Sequence, residues 1–333
     1  MKRPATPLRI PRVALGCMGF GSSAWRPWVL DEPEALAVLA QALEAGVTFF
    51  DTANVYSTGR SEIVLGRMLR AAQARDRVIV ATKFFFPVGL DGASGLGRRN
   101  VLESCDASLR RLGVEHIDLL QIHSFDDATP VEETMQALDE LVRAGKVAHL
   151  GASNCRAWQL SKLNFTARAH GWAEFETIQA HYNLLYREEE RELLPFCIDQ
   201  NIAVLPWSPL ARGRLARPEA PLGSKRAVID DVAESLYGPP DDPVLDALAA
   251  LSRQLGIPAA QLALAWSWTR PAVAAPVVGA TEMRHIRDAL AAAELRLDPA
   301  VFAPLERAYR PRPMTDLPKT ARNQTVLEPV STK

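Results

Sequence analysis

The stretch Asn100-Val101-Leu102-Glu103-Ser104-Cys105-Asp106-Ala107-Ser108-Leu109-Arg110-Arg111-Leu112-Gly113, followed shortly by Ile117-Asp118-Leu119-Leu120-Gln121-Ile122-His123, decides the fold. Its first part carries apolar residues at helical spacing. Asn100 with Glu103 reads as a capping box in which Asn replaces Ser or Thr. Gly113 stands where a helix ends by taking positive φ. The second part is a short β-rich run that ends on a histidine. A helix delivering the chain into a strand is the unit of an alternating α/β fold.

The same unit recurs on both sides. β-rich runs occur at Val13–Cys17, Thr48–Thr52, Val78–Thr82, Ile117–His123, Val147–Ala152, Thr177–Ala180, Ala203–Pro206 and Val273–Val278. Helical spacing occurs at Glu34–Glu44, with Leu36, Leu39, Ala40 and Leu43 on one face, and at Ser61–Ala71, Val131–Ala144 and Pro243–Leu255. Gly46 and Gly145 follow helical runs as Gly113 does. Eight such units fit a (β/α)8 TIM barrel, with long loops at its C-terminal face, better than an open doubly wound sheet. A dinucleotide fold of the latter kind needs a GxGxxG after an early strand, and Gly19-Phe20-Gly21 and Gly95-Leu96-Gly97 both lack the third glycine. The expectation is a single barrel domain over residues 1–333. The polar, Pro-rich tail 311–333 is expected to be loosely ordered or folded over the mouth, and the long interval Leu210–Pro243 to close over a bound ligand.

Composition narrows the function. The 38 Lys and Arg against 39 Asp and Glu give a net charge of −1, without the basic surplus that nucleic-acid phosphates require. The 48% of hydrophobic residues is ordinary for a globular protein, and no apolar run is long enough to cross a membrane. The basic start lacks the apolar core of a signal peptide. Cys17, Cys105, Cys155 and Cys197 form no CxxC pair, which reads as a cytoplasmic protein with reduced thiols. His116, His123, His149, His170, His181 and His285 have no metal-ligand spacing, so no metal is expected.

Barrel chemistry sits at the C-terminal ends of the strands. There the sequence places Asp51, Lys83 and His123, with Tyr56 five residues beyond Asp51. Any one alone is an ordinary polar residue; four at corresponding strand ends make a site. A tyrosine has a pKa of about 10, too high for a good acid at neutral pH. A neighbouring ammonium lowers it, a carboxylate keeps a buried lysine charged, and a histidine can orient a carbonyl oxygen. Such a group protonates an oxygen that is becoming an alkoxide.

The segment Phe49-Phe50-Asp51-Thr52-Ala53-Asn54-Val55-Tyr56, with Ser61-Glu62 and Leu65-Gly66, resembles the aldo-keto reductase signature. Ala81-Thr82-Lys83, Leu120-Gln121-Ile122-His123, Gly151-Ala152-Ser153-Asn154, Gln179 and Trp207-Ser208-Pro209-Leu210 match further segments of that family, so the resemblance runs from about Leu8 to Arg310. It implies an NADPH-dependent reductase of an aldehyde or ketone, reversibly an alcohol dehydrogenase. Tyr56 would be the general acid, Lys83 and Asp51 its tuning pair, and His123 the substrate-orienting group. Trp207 would stack on the nicotinamide, and Ser153, Asn154 and Gln179 would hold its carboxamide. Hydride would pass from the pro-R face directly to the carbonyl carbon. Gly16, Met18, Asp51, Ser208, Leu210, Gly213 and Gly279 would complete the dinucleotide site.

The adenosine end departs from the pattern. Glu282–Ala293 reads as a helix with Thr281 as N-cap, and Thr281, Arg284, His285 and Asp288 share the face that the resemblance turns to the 2′-phosphate and adenine. Many relatives carry Arg or Gln at the position of His285 and Asn at that of Ala289. Glu282 adds a negative charge there. Arg284 could restore a positive one by turning inward, which predicts a narrowed preference for NADPH over NADH.

Trp25, Trp28, Phe84 and Phe125 suggest an aromatic-walled mouth for a flat or hydrophobic carbonyl. The stretches 181–192 and 210–215 resemble bacterial reductases linked to 1-deoxyxylulose 5-phosphate formation. The charges of Arg187–Glu192 read more simply as a solvated helical face. Two other readings are conversion of a sugar phosphate with an internally recycled cofactor, and a nucleotide-binding regulatory subunit of a potassium channel with weak turnover. The sequence does not fix the oligomeric state.

Overall fold

A computed structural model describes residues 8–89, 92–219 and 236–314. Its strands are β1 (Ala14–Gly16), β2 (Phe20–Gly21), β3 (Leu30–Asp31), β4 (Phe49–Asp51), β5 (Ile79–Phe84), β6 (Ile117–Ile122), β7 (Val147–Ser153), β8 (Phe175–His181), β9 (Ala203–Trp207) and β10 (Val277–Gly279). Eight of them pair in parallel and close into a barrel in the order β1-β10-β9-β8-β7-β6-β5-β4, a (β/α)8 TIM barrel. β2 and β3 pair only with each other, in the loop after β1. The helices are α1 (Glu32–Glu44), α2 (Arg60–Ala71), α3 (Arg98–Leu112), α4 (Val131–Arg143), α5 (Ala157–His170), α6 (Leu193–Gln200), α7 (Asp242–Leu255), α8 (Ala259–Ser267), α9 (Met283–Glu294) and α10 (Ala303–Ala308).

Side chains alternate between the two faces of a strand, so every second residue looks into the barrel. At the bottom those residues are apolar: Phe49, Ala81, Leu119 and Leu205 share one small buried cluster with Ala14 and Val277. One step of two residues further up, the same inward rows carry Asp51, Lys83, Gln121 and Trp207. The parallel register sets Gly16 opposite Asp51, Lys83 opposite Gln121, Ser153 opposite Gln179 and His181 opposite Trp207. The barrel is thus an apolar plug beneath a polar floor.

Several boundaries differ from the sequence reading. α3 starts at Arg98, so Asn100 is not its cap. The Arg98 N–H donates instead to Glu133, and the Asn100 side chain donates to the Gly95 carbonyl. Gly46, Gly113 and Gly145 take positive φ as expected. β10 keeps only the end of the run 273–278, because Pro276 has no N–H to offer a neighbour; its carbonyl accepts from Ala14, while Val273 bridges separately to Val204. Gly66 is set by contact: a Cβ there would lie 2.1 Å from the Leu112 carbonyl oxygen, so only glycine lets α2 lie this close to the end of α3.

The charged run 187–192 is not a solvated helical face. Glu188 is buried and accepts from the Tyr309 hydroxyl, and Arg187 pairs with Glu190 and Glu306. Its partners lie about 120 residues away in sequence, which is why local charge alternation misleads. Of the tail 311–333, residues 315–333 lie outside the described residues, while Arg312 is tied to Glu188, Leu236 and Asp241. Residues 220–235 of the Leu210–Pro243 interval also lie outside them. All four cysteines are buried thiols. No helix among the described residues is long and apolar enough to cross a membrane.

Candidate active site

Asp51 ends β4, Lys83 lies near the end of β5, and His123 immediately follows β6. Tyr56 opens a 3-10 turn whose next two residues, Ser57 and Thr58, hold left-handed backbone, and this tight turn brings its ring back over the mouth. The four expected residues meet. Lys83 is fully buried, and its Nζ donates to Asp51 Oδ2 at 2.5 Å and to the Thr52 carbonyl at 2.8 Å. The ammonium also lies beside Tyr56, its nitrogen 5.1 Å from the centre of that ring.

Asp51 has further partners of its own. Its Oδ1 accepts from both Gln121 and Gln179 at 2.9 Å, which fixes the carboxylate beneath the lysine. Gln121 escaped the site assignment from sequence. Its signal was present: two residues beyond inward-facing Leu119, it had to look into the barrel. Thr52 is held in turn, its hydroxyl bonded to Ser61, which donates to the Cys17 carbonyl.

Tyr56 and His123 keep part of their surface open, unlike the pair beneath them. The rings meet edge to face with centroids 5.8 Å apart. Burial pushes the Tyr56 hydroxyl above its ordinary range, with the Lys83 ammonium pulling the other way. The lowering expected from the sequence is therefore a counterweight to desolvation and does not prevail in this state. Lys83 is held above its usual value by Asp51 and Tyr56 against burial. His123 sits well below its usual value because of burial and then Lys83, so the imidazole is neutral, and its Nδ1 is buried without a hydrogen-bond partner.

Two expected walls hold and one moves. Trp25 and Trp28 pack together with Met18 and Tyr56 beside the tetrad. Phe125 meets Trp158 edge to face at the rim. Phe84 does not line the mouth. It follows inward-facing Lys83 on β5, so it turns outward into the helix layer and is fully buried. Half-buried Phe86 stands against His123 instead, with ring centroids 5.2 Å apart.

Several residues expected to hold the dinucleotide are tied to one another at neighbouring strand ends. Ser153 Oγ donates to the Gln179 carbonyl, Asn154 Nδ2 donates to the His123 carbonyl, and Trp207 Nε1 donates to Asn154 Oδ1 at 3.0 Å. Trp207 stacks on His181 at 4.2 Å, and Ser208 turns the chain with a left-handed φ of 49°. Gly16 and Gly279 lie opposite each other in register, and Leu210 and Gly213 belong to the loop after β9. Together they offer a fixed indole plane, amides and glycines at a barrel end. Gln121 Oε1 is left buried without a partner nearby. That donor set fits a nicotinamide ring and its carboxamide.

The adenosine end fits less closely. α9 starts at Met283 with Glu282 as N-cap, not Thr281, and no side chain caps it. The Thr281 N–H faces His285 Nδ1 at 3.4 Å, and Asp288 accepts from Gln261. Arg284 has not turned inward: it pairs with Glu282 at 2.7 Å and its side chain is 60% exposed. Among the described residues no cluster of His, Cys, Asp and Glu could hold a metal ion.

Comparison with known proteins agrees with this geometry. The profile described as "Aldo/keto reductase family" matches residues 12–310. A versiconal hemiacetal acetate reductase of Aspergillus parasiticus is 38% identical over 328 residues, covering 92% of this chain and 95% of that protein. An aldo-keto reductase of Metarhizium robertsii is 39% identical, covering 92% and 89%. A Schizosaccharomyces pombe protein proposed to be an aryl-alcohol dehydrogenase is 36% identical, covering 92% and 94%. A barrel with this polar floor, matched along nearly its whole length, belongs to the aldo/keto reductase family of oxidoreductases, which reduce small carbonyl compounds with a nicotinamide cofactor.

Proposed function

We propose that the protein reduces an aldehyde or ketone with NADPH, with Tyr56 as the general acid. The observation that carries this reading is the fully buried Lys83–Asp51 pair set directly beside Tyr56, with the Lys83 nitrogen 5.1 Å from the centre of the Tyr56 ring. An ammonium has no lone pair to accept the Tyr56 proton, which is left for a carbonyl oxygen in the mouth. The reduced nicotinamide, when bound, supplies the hydride. As negative charge grows on the substrate oxygen, Tyr56 hands over its proton, and the phenolate left behind is stabilised by Lys83. Asp51, locked by Gln121 and Gln179, keeps Lys83 charged at that moment. Neutral His123 orients the carbonyl without competing for the proton.

Trp207 and the Ser153, Asn154 and Gln179 cluster would hold the nicotinamide, and the α9 start the adenosine phosphate. Trp25, Trp28, Phe86 and Phe125 favour a flat or aromatic carbonyl, and two relatives' names, a hemiacetal acetate reductase and a proposed aryl-alcohol dehydrogenase, fit that substrate class. The branch linked to 1-deoxyxylulose 5-phosphate rests on residues 181–192 and 210–215 alone, and the fungal relatives lend it nothing. Four buried thiols support a reducing, cytoplasmic setting.

The test follows NADPH oxidation with matched aromatic and aliphatic aldehydes, with product analysis. Turnover of about 1 per second or more on the aromatic set supports the proposal. Tight NADPH binding with negligible turnover would instead favour a nucleotide-binding regulatory protein. Conversion of a sugar phosphate without net NADPH loss would favour the recycled-cofactor reading.

A further inference from the structure

The C-terminal segment reaches Trp207 through hydrogen bonds, one short stretch of backbone and a ring stack. The Arg312 guanidinium forks, one nitrogen pairing with buried Asp241 and the other donating to the Leu236 carbonyl at 2.9 Å. The Arg312 backbone N–H donates to Glu188 Oε1 at 2.8 Å, on the loop after β8. The fork thus straddles residue 237 and grips the chain on both sides of it. Tyr237 is buried, and its hydroxyl lies 2.7 Å from His181 Nε2 while accepting from Asn183 at 2.9 Å. His181 in turn is sandwiched between Tyr186 and Trp207, with ring centroids 4.2 Å away on each side.

The bookkeeping fixes the direction of these bonds. The Tyr237 oxygen takes a proton from the Asn183 amide and gives its own to His181. That needs a neutral imidazole, and burial holds the His181 pKa down at about 3. Asn183 also donates to the Ser208 carbonyl, so the same network fixes the turn after Trp207.

We propose that Arg312 is a positioning residue for the nicotinamide site, holding Tyr237 against His181 so that the indole of Trp207 presents a rigid plane to the cofactor. This rests on the reading that Trp207 stacks on the nicotinamide. A long cationic side chain near the end of the chain is then no surface decoration. Without it, residues 236–241 lose their anchor to the barrel, and a stacked wall becomes a mobile one. The cost falls on cofactor affinity, since ordering the wall must then be charged against binding.

The experiment measures NADPH binding by quenching of protein fluorescence, at equilibrium and in stopped flow, for wild type, Arg312→Met, Tyr237→Phe and the double variant. Each single change is expected to weaken NADPH binding about tenfold, through faster dissociation. KM for NADPH should rise while kcat for an aldehyde holds or increases. Because both residues act through one path, the double variant should lose little more than either single one. Arg191→Met, which strips the exposed partner from the other oxygen of Glu188, should bind NADPH like wild type. Tyr237→Phe removes one oxygen and keeps the packing, so it decides the matter if Arg312→Met folds poorly. Unchanged NADPH dissociation in both single variants, or fully additive losses in the double, would overturn the proposal. Wild-type fluorescence that NADPH leaves untouched would bring down the underlying reading of the site, and the proposal with it.

Discussion

Lys83, expected to tune Tyr56, and Arg284, expected to meet the cofactor's phosphate, are both cations, yet the barrel treats them in opposite ways. Lys83 is fully buried, with a carboxylate and a carbonyl accepting from its ammonium, and the carboxylate is itself locked by two glutamines. Arg284 is 60% exposed and shares one solvent-facing carboxylate two residues away. Breaking a buried pair typically costs 3–5 kcal/mol because a charge is left unpaired, whereas an exposed pair contributes about 0–1 kcal/mol. The reacting end is therefore fixed by many mutual constraints, and the adenosine end by few. Under the proposed function, a change at Lys83 should alter both chemistry and stability, and one at Arg284 cofactor preference alone.

The contrast breaks first at Tyr56. Tyr56→Phe is expected to cut kcat/KM on an unactivated aldehyde by about 10²–10⁴-fold while NADPH still binds. Near-wild-type turnover would remove the proton donor from this site. Lys83→Met should abolish reduction and, by stranding Asp51 in the barrel, destabilise the protein by about 3–5 kcal/mol in urea unfolding. Removing the ammonium also removes the one influence lowering the Tyr56 pKa, so any residual rate should keep its acid form to higher pH than wild type. An unaltered pH–rate profile would contradict that.

A third prediction sets the buried side against the rim in acid. A histidine held neutral in the folded state contributes stability that is fully present above its unfolded pKa of about 6.5 and is lost as pH falls toward the folded value. For His181 that window runs from about 6.5 down to about 3. Half-buried His285 is lowered too, with Arg284 as its second cause. His181→Gln should therefore flatten the acid limb of stability more than His285→Gln does. Equal limbs would erase the distinction between the two regions. The smallest effect is expected at Arg284→Ala, where the ratio of kcat/KM for NADPH over NADH should fall by about tenfold or less. An unchanged ratio, or a wild type preferring NADH, would take Arg284 away from the phosphate.

What was legible followed from local rules. Strands announced themselves as short β-rich runs, and polar residues at their ends stood out because the residues before them were apolar. The tetrad needed nothing more. Gln121 was hidden inside a strand, where only inward and outward alternation marks it. Phe84 was misjudged by the same rule, since neighbouring Lys83 already claimed the inner face. Arg187–Glu192 was misread because its partners arrive from residues 306–312, a distance no local pattern reports. Trp158, the rim partner of Phe125, lies on α5, a helix absent from the periodicity reading.

Cys17 shows what such enclosure means outside catalysis. Its thiol is wholly buried and pushed far above the ordinary thiol range by burial and then by Asp51. Its carbonyl holds Ser61, Ser61 bonds Thr52, and the Thr52 carbonyl holds Lys83. A sulfhydryl reagent can reach that sulfur only when the packing around it opens. The rate at which Cys17 takes up a label is therefore a clock for the opening of the reaction centre, readable in resting protein with no substrate present.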